Sequence, residues 1–80
     1  MIVKVLLFAH LQDIVGSELA LNLPTGTRVA EALAALGNVD GRFARLMPST
    51  RTAVNGDWAD EAVVLNDGDE LALIPPVSGG

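Results

Sequence analysis

Over residues 2–8, Val3, Val5 and Leu7 fall on one face of an extended chain, while Ile2, Leu6 and Phe8 fall on the other, interrupted only by Lys4. Side chains of a strand point alternately to its two sides, so this pattern predicts a strand with two apolar faces. Such a strand is central in its sheet, or it has one core face and keeps the other for a partner. Leu11, Ile14 and Val15 then recur at helical spacing, which predicts a short helix closed by Gly16 in the left-handed cap position. From Glu18 to Leu23 the alternation is strict. Leu19, Leu21 and Leu23 face inward, Glu18 and Asn22 outward, and Pro24 ends this half-buried strand.

Thr25-Gly26-Thr27 is turn chemistry, and Thr27 is placed to cap a helix carrying Val29, Ala32, Leu33 and Leu36, with Glu31 in its first turn and Gly37 as its stop. A shorter helix is predicted from Asp40, turning Phe43, Leu46 and Met47 inward before Pro48. Strand character returns over residues 50–59, where Asn55-Gly56 forms a hairpin turn between Ala53-Val54 and Trp58-Ala59. Val63 and Val64 add a short pairing, and Asn66-Asp67-Gly68-Asp69 turns the chain into a last strand, Glu70–Ile74. Three or four strands interleaved with one principal helix predict an α+β domain over residues 1–74, with a mixed sheet and helices packed on one face.

Composition narrows the chemistry. The 80 residues include no cysteine and one histidine, which excludes disulfides, thiolate metal sites, a cysteine nucleophile and a histidine-built metal centre. A net charge of −5 with five Lys and Arg argues against nucleic acid, whose phosphates demand clustered basic residues. Apolar runs are a few residues long, far short of the ~20 needed to cross a bilayer. The first residues read as a strand, with no secretory leader. A soluble, cytoplasmic protein is expected. His10 follows the first strand with no second histidine or obvious carboxylate partner close in sequence, and receives no role. No Gly-rich phosphate loop is present, so no ATP or other cofactor is expected to bind. Asp57, Asp60, Glu61, Asp67, Asp69 and Glu70 gather around turns and read first as turn formers, with Asp69 and Glu70 second as an acidic docking surface.

The end of the chain is unusual. Pro75 and Pro76 cannot extend a sheet ladder, so the strand ending at Ile74 leaves as a stiff, extended stub over residues 75–80. Gly79 and Gly80 follow Val77 and Ser78, and without Cβ atoms they fit a narrow channel. A Gly-Gly ending by itself also fits a frayed end or an expression scar. Its position directly behind Pro-Pro and a small apolar anchor favours function.

The run Asp67-Gly68-Asp69-Glu70-Leu71-Ala72-Leu73-Ile74-Pro75-Pro76-Val77-Ser78-Gly79-Gly80 resembles the carboxy-terminal signature of the MoaD-type sulfur carriers, the small subunits of molybdopterin synthase. Val3-Lys4-Val5-Leu6-Leu7-Phe8-Ala9, the Val54-Asn55-Gly56 turn and the length fit as well, so the resemblance spans the whole domain. Thiamin-pathway carriers share the Gly-Gly ending but usually lack the preceding Pro-Pro-Val-Ser. The resemblance implies a ubiquitin-like β-grasp with the first and last strands parallel and side by side in mid-sheet. It also implies that a ubiquitin-activating-enzyme-like adenylyltransferase uses ATP to adenylate the Gly80 carboxylate and that sulfur displaces AMP. The resulting thiocarboxylate then enters the large subunit of molybdopterin synthase and sulfurates cyclic pyranopterin monophosphate, so the subunit is not catalytic on its own.

Two further readings stay open: a ubiquitin-like modifier joined to lysines, and an adaptor whose tail is irrelevant. For docking, Ala72 and Ile74 are expected to point away from the helix beside Phe8, with Trp58 reaching the same area; hydrophobic residues at the matching positions contact the large subunit in the family resembled. The alternative for Trp58 is burial in the core.

Overall fold

The computed structural model describes residues 1–46 and 49–76. The inward placement of Met47 and the helix-breaking role of Pro48 lie outside the described residues, as do Val77, Ser78, Gly79, Gly80 and the side chain of Leu46. In chain order the elements are β1 (Ile2–Leu7), a single 3-10 turn (Ala9–Leu11), α1 (Gln12–Val15), β2 (Glu18–Asn22), α2 (Val29–Val39), α3 (Gly41–Leu46), β3 (Arg51–Val54), β4 (Asp57–Trp58) and β5 (Glu70–Ile74). The sheet order is β2-β1-β5-β3-β4, with β1 and β5 parallel and the other neighbours antiparallel. Five strands are therefore present among the described residues, where the sequence pattern suggested three or four. The shortest is the two-residue β4, the second arm of the expected hairpin.

One face of the sheet makes the core. Val3, Val5 and Leu7 of β1, Leu21 of β2, and Leu71 and Leu73 of β5 are buried against Leu11, Val29, Ala32, Leu36 and Phe43 from the helical layer. Full burial of each Val, Leu or Phe stabilises by roughly 1.5–3 kcal/mol, so period-two residues facing period-3.6 residues hold the two layers together. β1 is flanked on both sides, by β2 and β5, as expected of a central strand, and its face opposite the core is open, with Ile2 and Phe8 exposed. Phe8 remains extended, and Ala9 then takes a positive φ of 52° that swings the chain off the sheet and lets Leu11 bury.

Three local expectations are corrected. Thr27 does not cap α2: its hydroxyl donates to the Pro24 carbonyl at 2.6 Å, and the residue is buried, with Leu65 N–H donating to its own carbonyl. The position before α2 belongs to Arg28, whose N–H donates to the Glu31 carboxylate at 3.0 Å. Antiparallel contact between Arg28 and Val64 fixes that entry point, so a tertiary constraint displaces the cap by one residue. Gly37 does not end α2, which continues to Val39. The stop comes at Asp40, which leaves helical space to start α3, its backbone and side-chain oxygens accepting from Phe43 N–H (3.1 Å) and Arg42 N–H (2.9 Å). Finally, Gly16 has a positive φ of 95° with ψ near −169°, an extended conformation open essentially to glycine, and not the left-handed cap.

The hairpin turn is bolted to the start of β5. Asn55 and Gly56 have φ of 51° and 87°, the primed geometry that matches strand twist. Asn55 N–H donates to the Glu70 carbonyl at 2.9 Å, its side-chain oxygen accepts from Glu70 N–H at 2.9 Å, and its amide donates to Asp69 Oδ1 at 2.9 Å. Asn55→Ala removes the two side-chain bonds and puts a residue less tolerant of positive φ in the turn, so a loss of about 2 kcal/mol is expected by urea unfolding. Asn55→Gly should recover part of it.

Asp40 supplies a pH signature. The side-chain hydrogen bond from Arg42, backed by the Arg42 N–H, holds its carboxyl down at about 2 from an ordinary 3.8. A depressed folded-state value means the contribution is complete above 3.8 and is lost as pH falls through 2. The stability gap between wild type and Asp40→Asn should therefore be constant at neutral pH and close across that interval in acid unfolding curves.

Candidate docking site

The outer face of the sheet is organised by register. Leu6 pairs with Ala72, Ala72 with Ala53, and Ala53 with Trp58, so one row of side chains crosses four strands. A two-residue turn forces the last of these pairings, because Val54 opposite Asp57 puts Ala53 opposite Trp58. In the next row Ile74 pairs with Arg51, and Phe8 follows Leu7, the partner of Leu73. In the first row large residues thus stand at both ends and alanines in the middle, and the second row is large throughout. The result is a depression of about 390 Å³, floored by Ala53 and Ala72 and walled by Leu6, Phe8, Trp58 and Ile74, with Gly56 and Glu70 at its foot.

This face is open to solvent. Phe8 is 44% and Trp58 59% exposed, while Ile74 is half-buried. The core alternative for Trp58 is thereby excluded: β4 is the edge strand, and its indole lies on the outer side under the Arg51 guanidinium, 3.9 Å from ring centroid to the guanidinium carbon. Exposed aromatics gathered around a cavity mark a place where apolar surface is removed from water by a partner. The charged border is local: Lys4 lies 4.0 Å from Glu18 and 3.8 Å from Glu70, exposed pairs of little energetic weight.

The structure brings Phe8, Trp58 and Ile74 together and sets Glu70 beside them. Asp69 serves the turn: one carboxylate oxygen accepts from Asn55 and the other from Asn66 N–H at 2.8 Å. Pro75 is buried and Pro76 exposed, so the chain surfaces immediately above Ile74 at the rim of the depression. Strand alternation already puts Leu6 and Ala72 on this face, but sequence reasoning missed Ala53 and Arg51. For Ala53 the hairpin turn was the available signal; for Arg51 the pairing with β5 was needed. Among the described residues no three metal-ligating side chains converge, and the one displaced ionisable pair, Asp40 and Arg42, belongs to the start of α3.

Parallel first and last strands in the middle of a mixed sheet, with the principal helix packed across one face, define a ubiquitin-like β-grasp domain. The chain belongs to the ThiS family, whose profile matches residues 5–80. It is similar to the molybdopterin synthase sulfur carrier subunits of Arabidopsis thaliana, 32% identical and covering 98% of this chain and 82% of that one, and of Escherichia coli K12, 35% identical and covering 98% and 99%. Among solved structures, SAMP1 from Haloferax volcanii superposes with a TM-score of 0.88 at 28% identity over 100% of both chains. The complex of subunits 1 and 2 of the molybdopterin-converting factor from Helicobacter pylori contains a chain that superposes at 0.75, 27% identical over 100% of both.

If the indole is a surface group and Phe43 a core group, their truncations separate. Phe43, fully buried, should lose about 3–5 kcal/mol on replacement by alanine, whereas Trp58→Ala should cost below about 1 kcal/mol in chemical denaturation.

Proposed function

We propose that this chain is a sulfur carrier for molybdopterin synthesis, with Gly80 as its reactive end. The reading is carried by the match to molybdopterin synthase sulfur carrier subunits over 98% of the chain. The geometry supports it: an open apolar depression lies at the root of the segment Pro75, Pro76, Val77, Ser78, Gly79, Gly80 and offers a grip for the protein that accepts the tail. That protein is the large subunit of molybdopterin synthase, and Phe8, Trp58 and Ile74 are its contacts, with Glu70 at the border. Asp69, held by the turn, contributes indirectly by fixing the start of β5.

The chemistry is outside the domain. A carboxylate is a poor acyl donor, so a ubiquitin-activating-enzyme-like adenylyltransferase joins the Gly80 carboxylate to the α-phosphate of ATP and releases pyrophosphate. A sulfide-level donor then attacks the acyl carbon, AMP leaves, and a thiocarboxylate remains on Gly80. In the large subunit this sulfur passes to cyclic pyranopterin monophosphate. The domain itself binds no cofactor, works in the cytoplasm and supplies position and sulfur. The thiamin-pathway variant uses the same activation, with a different acceptor.

A second reading has its own support in the likeness to SAMP1, described as a small archaeal modifier protein. Both readings require activated Gly80, and the product separates them. After incubation with a cognate activating enzyme, ATP and sulfide, intact-mass spectrometry should show one oxygen replaced by sulfur at Gly80, and a Gly80-deleted protein should fold but give no molybdopterin with the large subunit. Normal molybdopterin formation by the deletion variant would falsify the carrier reading. Isopeptides to lysine without thiocarboxylate would replace it with the modifier.

A further inference from the structure

We propose that Arg51 is the anion-recognising group of the docking face: its guanidinium, stacked on Trp58, takes a carboxylate from the protein that receives the tail. The proposal rests on the carrier reading and specifies the chemistry of that partner's surface.

Pairing and position together single out this residue. Lys4 sits between Glu18 and Glu70, Arg42 holds Asp40 at 2.7 Å, and Arg28 donates to the Ala62 carbonyl at 2.8 Å. Arg45 lies on α3, in the helical layer. Arg51 stands on the docking face with no carboxylate within 4.0 Å among the described residues, although the chain has ten Asp and Glu; its contact is the indole, 3.9 Å away. Stacking occupies the flat face of a guanidinium and leaves its N–H donors pointing outward around the edge, in the fork geometry that matches a carboxylate. The indole also restricts the side chain before binding, so less freedom is lost on contact.

Position gives the charge a purpose. Arg51 is the register partner of Ile74, the last residue of β5, so an anion bound there is anchored one residue from the start of the tail. Trp58 lines both the alanine-floored depression and a second groove of about 420 Å³, which Arg51 shares with Leu33, Thr52 and Ala59. Asp60 and Glu61 also line that groove and repel an anion placed deeper, which confines the carboxylate to the Arg51 end. The chain as a whole carries a net charge of −5, so a partner carboxylate is disfavoured over most of the surface and favoured opposite Arg51. One favourable contact in an otherwise unfavourable field sets docking register and aims the tail.

The test is calorimetric titration of the full chain with the molybdopterin synthase large subunit from the same organism, at two salt concentrations. Arg51→Gln and Arg51→Glu should weaken binding about tenfold or more, with the thermal midpoint unchanged, and the wild-type affinity should fall with salt more steeply than that of Arg51→Gln. Arg51→Lys should recover only part of the loss, because an ammonium lacks the planar fork. Arg51→Glu binding within twofold of wild type, with equal salt dependence, overturns the assignment while the carrier reading stands. Absence of wild-type binding overturns both.

Discussion

The parallel pairing of β1 with β5 is the constraint on which the rest of the molecule depends. It joins residues from opposite ends of the chain, Lys4 to Glu70 through Leu7 to Leu73, and the entropy lost in closing so long a loop is offset only by what the two strands bury together. That burial is the inner row of Val5, Leu7, Leu71 and Leu73, all essentially inaccessible to solvent. Because successive residues face opposite ways, the same register that buries this row also presents Leu6, Phe8, Ala72 and Ile74 together on the outside. Core and outer apolar face are two readings of one hydrogen-bond ladder.

One end of that ladder is held by polar contacts. There Ile2 N–H donates to Asp67 Oδ1 at 2.7 Å, Gly68 N–H to the Ile2 carbonyl at 2.8 Å, and the Asn55 side chain clasps Asp69 and Glu70. Asp67 and Asp69 are thereby engaged with backbone amides, the ordinary use of aspartate in turns. The other end, where Phe8 turns away and Pro75 begins, carries the apolar depression and Arg51. Polar contacts secure one end of the sheet, and exposed aromatic surface is concentrated toward the other, next to Pro75.

Under the proposed carrier role, this separation explains how a domain whose described residues hold no metal-ligating cluster would take part in chemistry. A tail that is to be threaded into other proteins gains little from its own sequence unless the domain behind it docks in one orientation. In the proposed docking, the depression would supply apolar area, which is strong but undirected, and the stacked guanidinium direction.

The sequence by itself determined which faces of the strands are apolar, where the hairpin turns, that Asn66-Asp67-Gly68-Asp69 reverses the chain, and which chemistries composition excludes. Those are local properties, set by residues within a few positions of one another through backbone sterics and side-chain direction. The tertiary structure alone decided the neighbours. It moved the cap of α2 from Thr27 to Arg28 because Val63 and Val64 come alongside, carried α2 through Gly37, laid two alanines side by side as a floor, and set Arg51 opposite Ile74 and over Trp58. Lateral position in a sheet follows from how the whole core closes, and periodicity along one strand carries no record of which strand lies beside it.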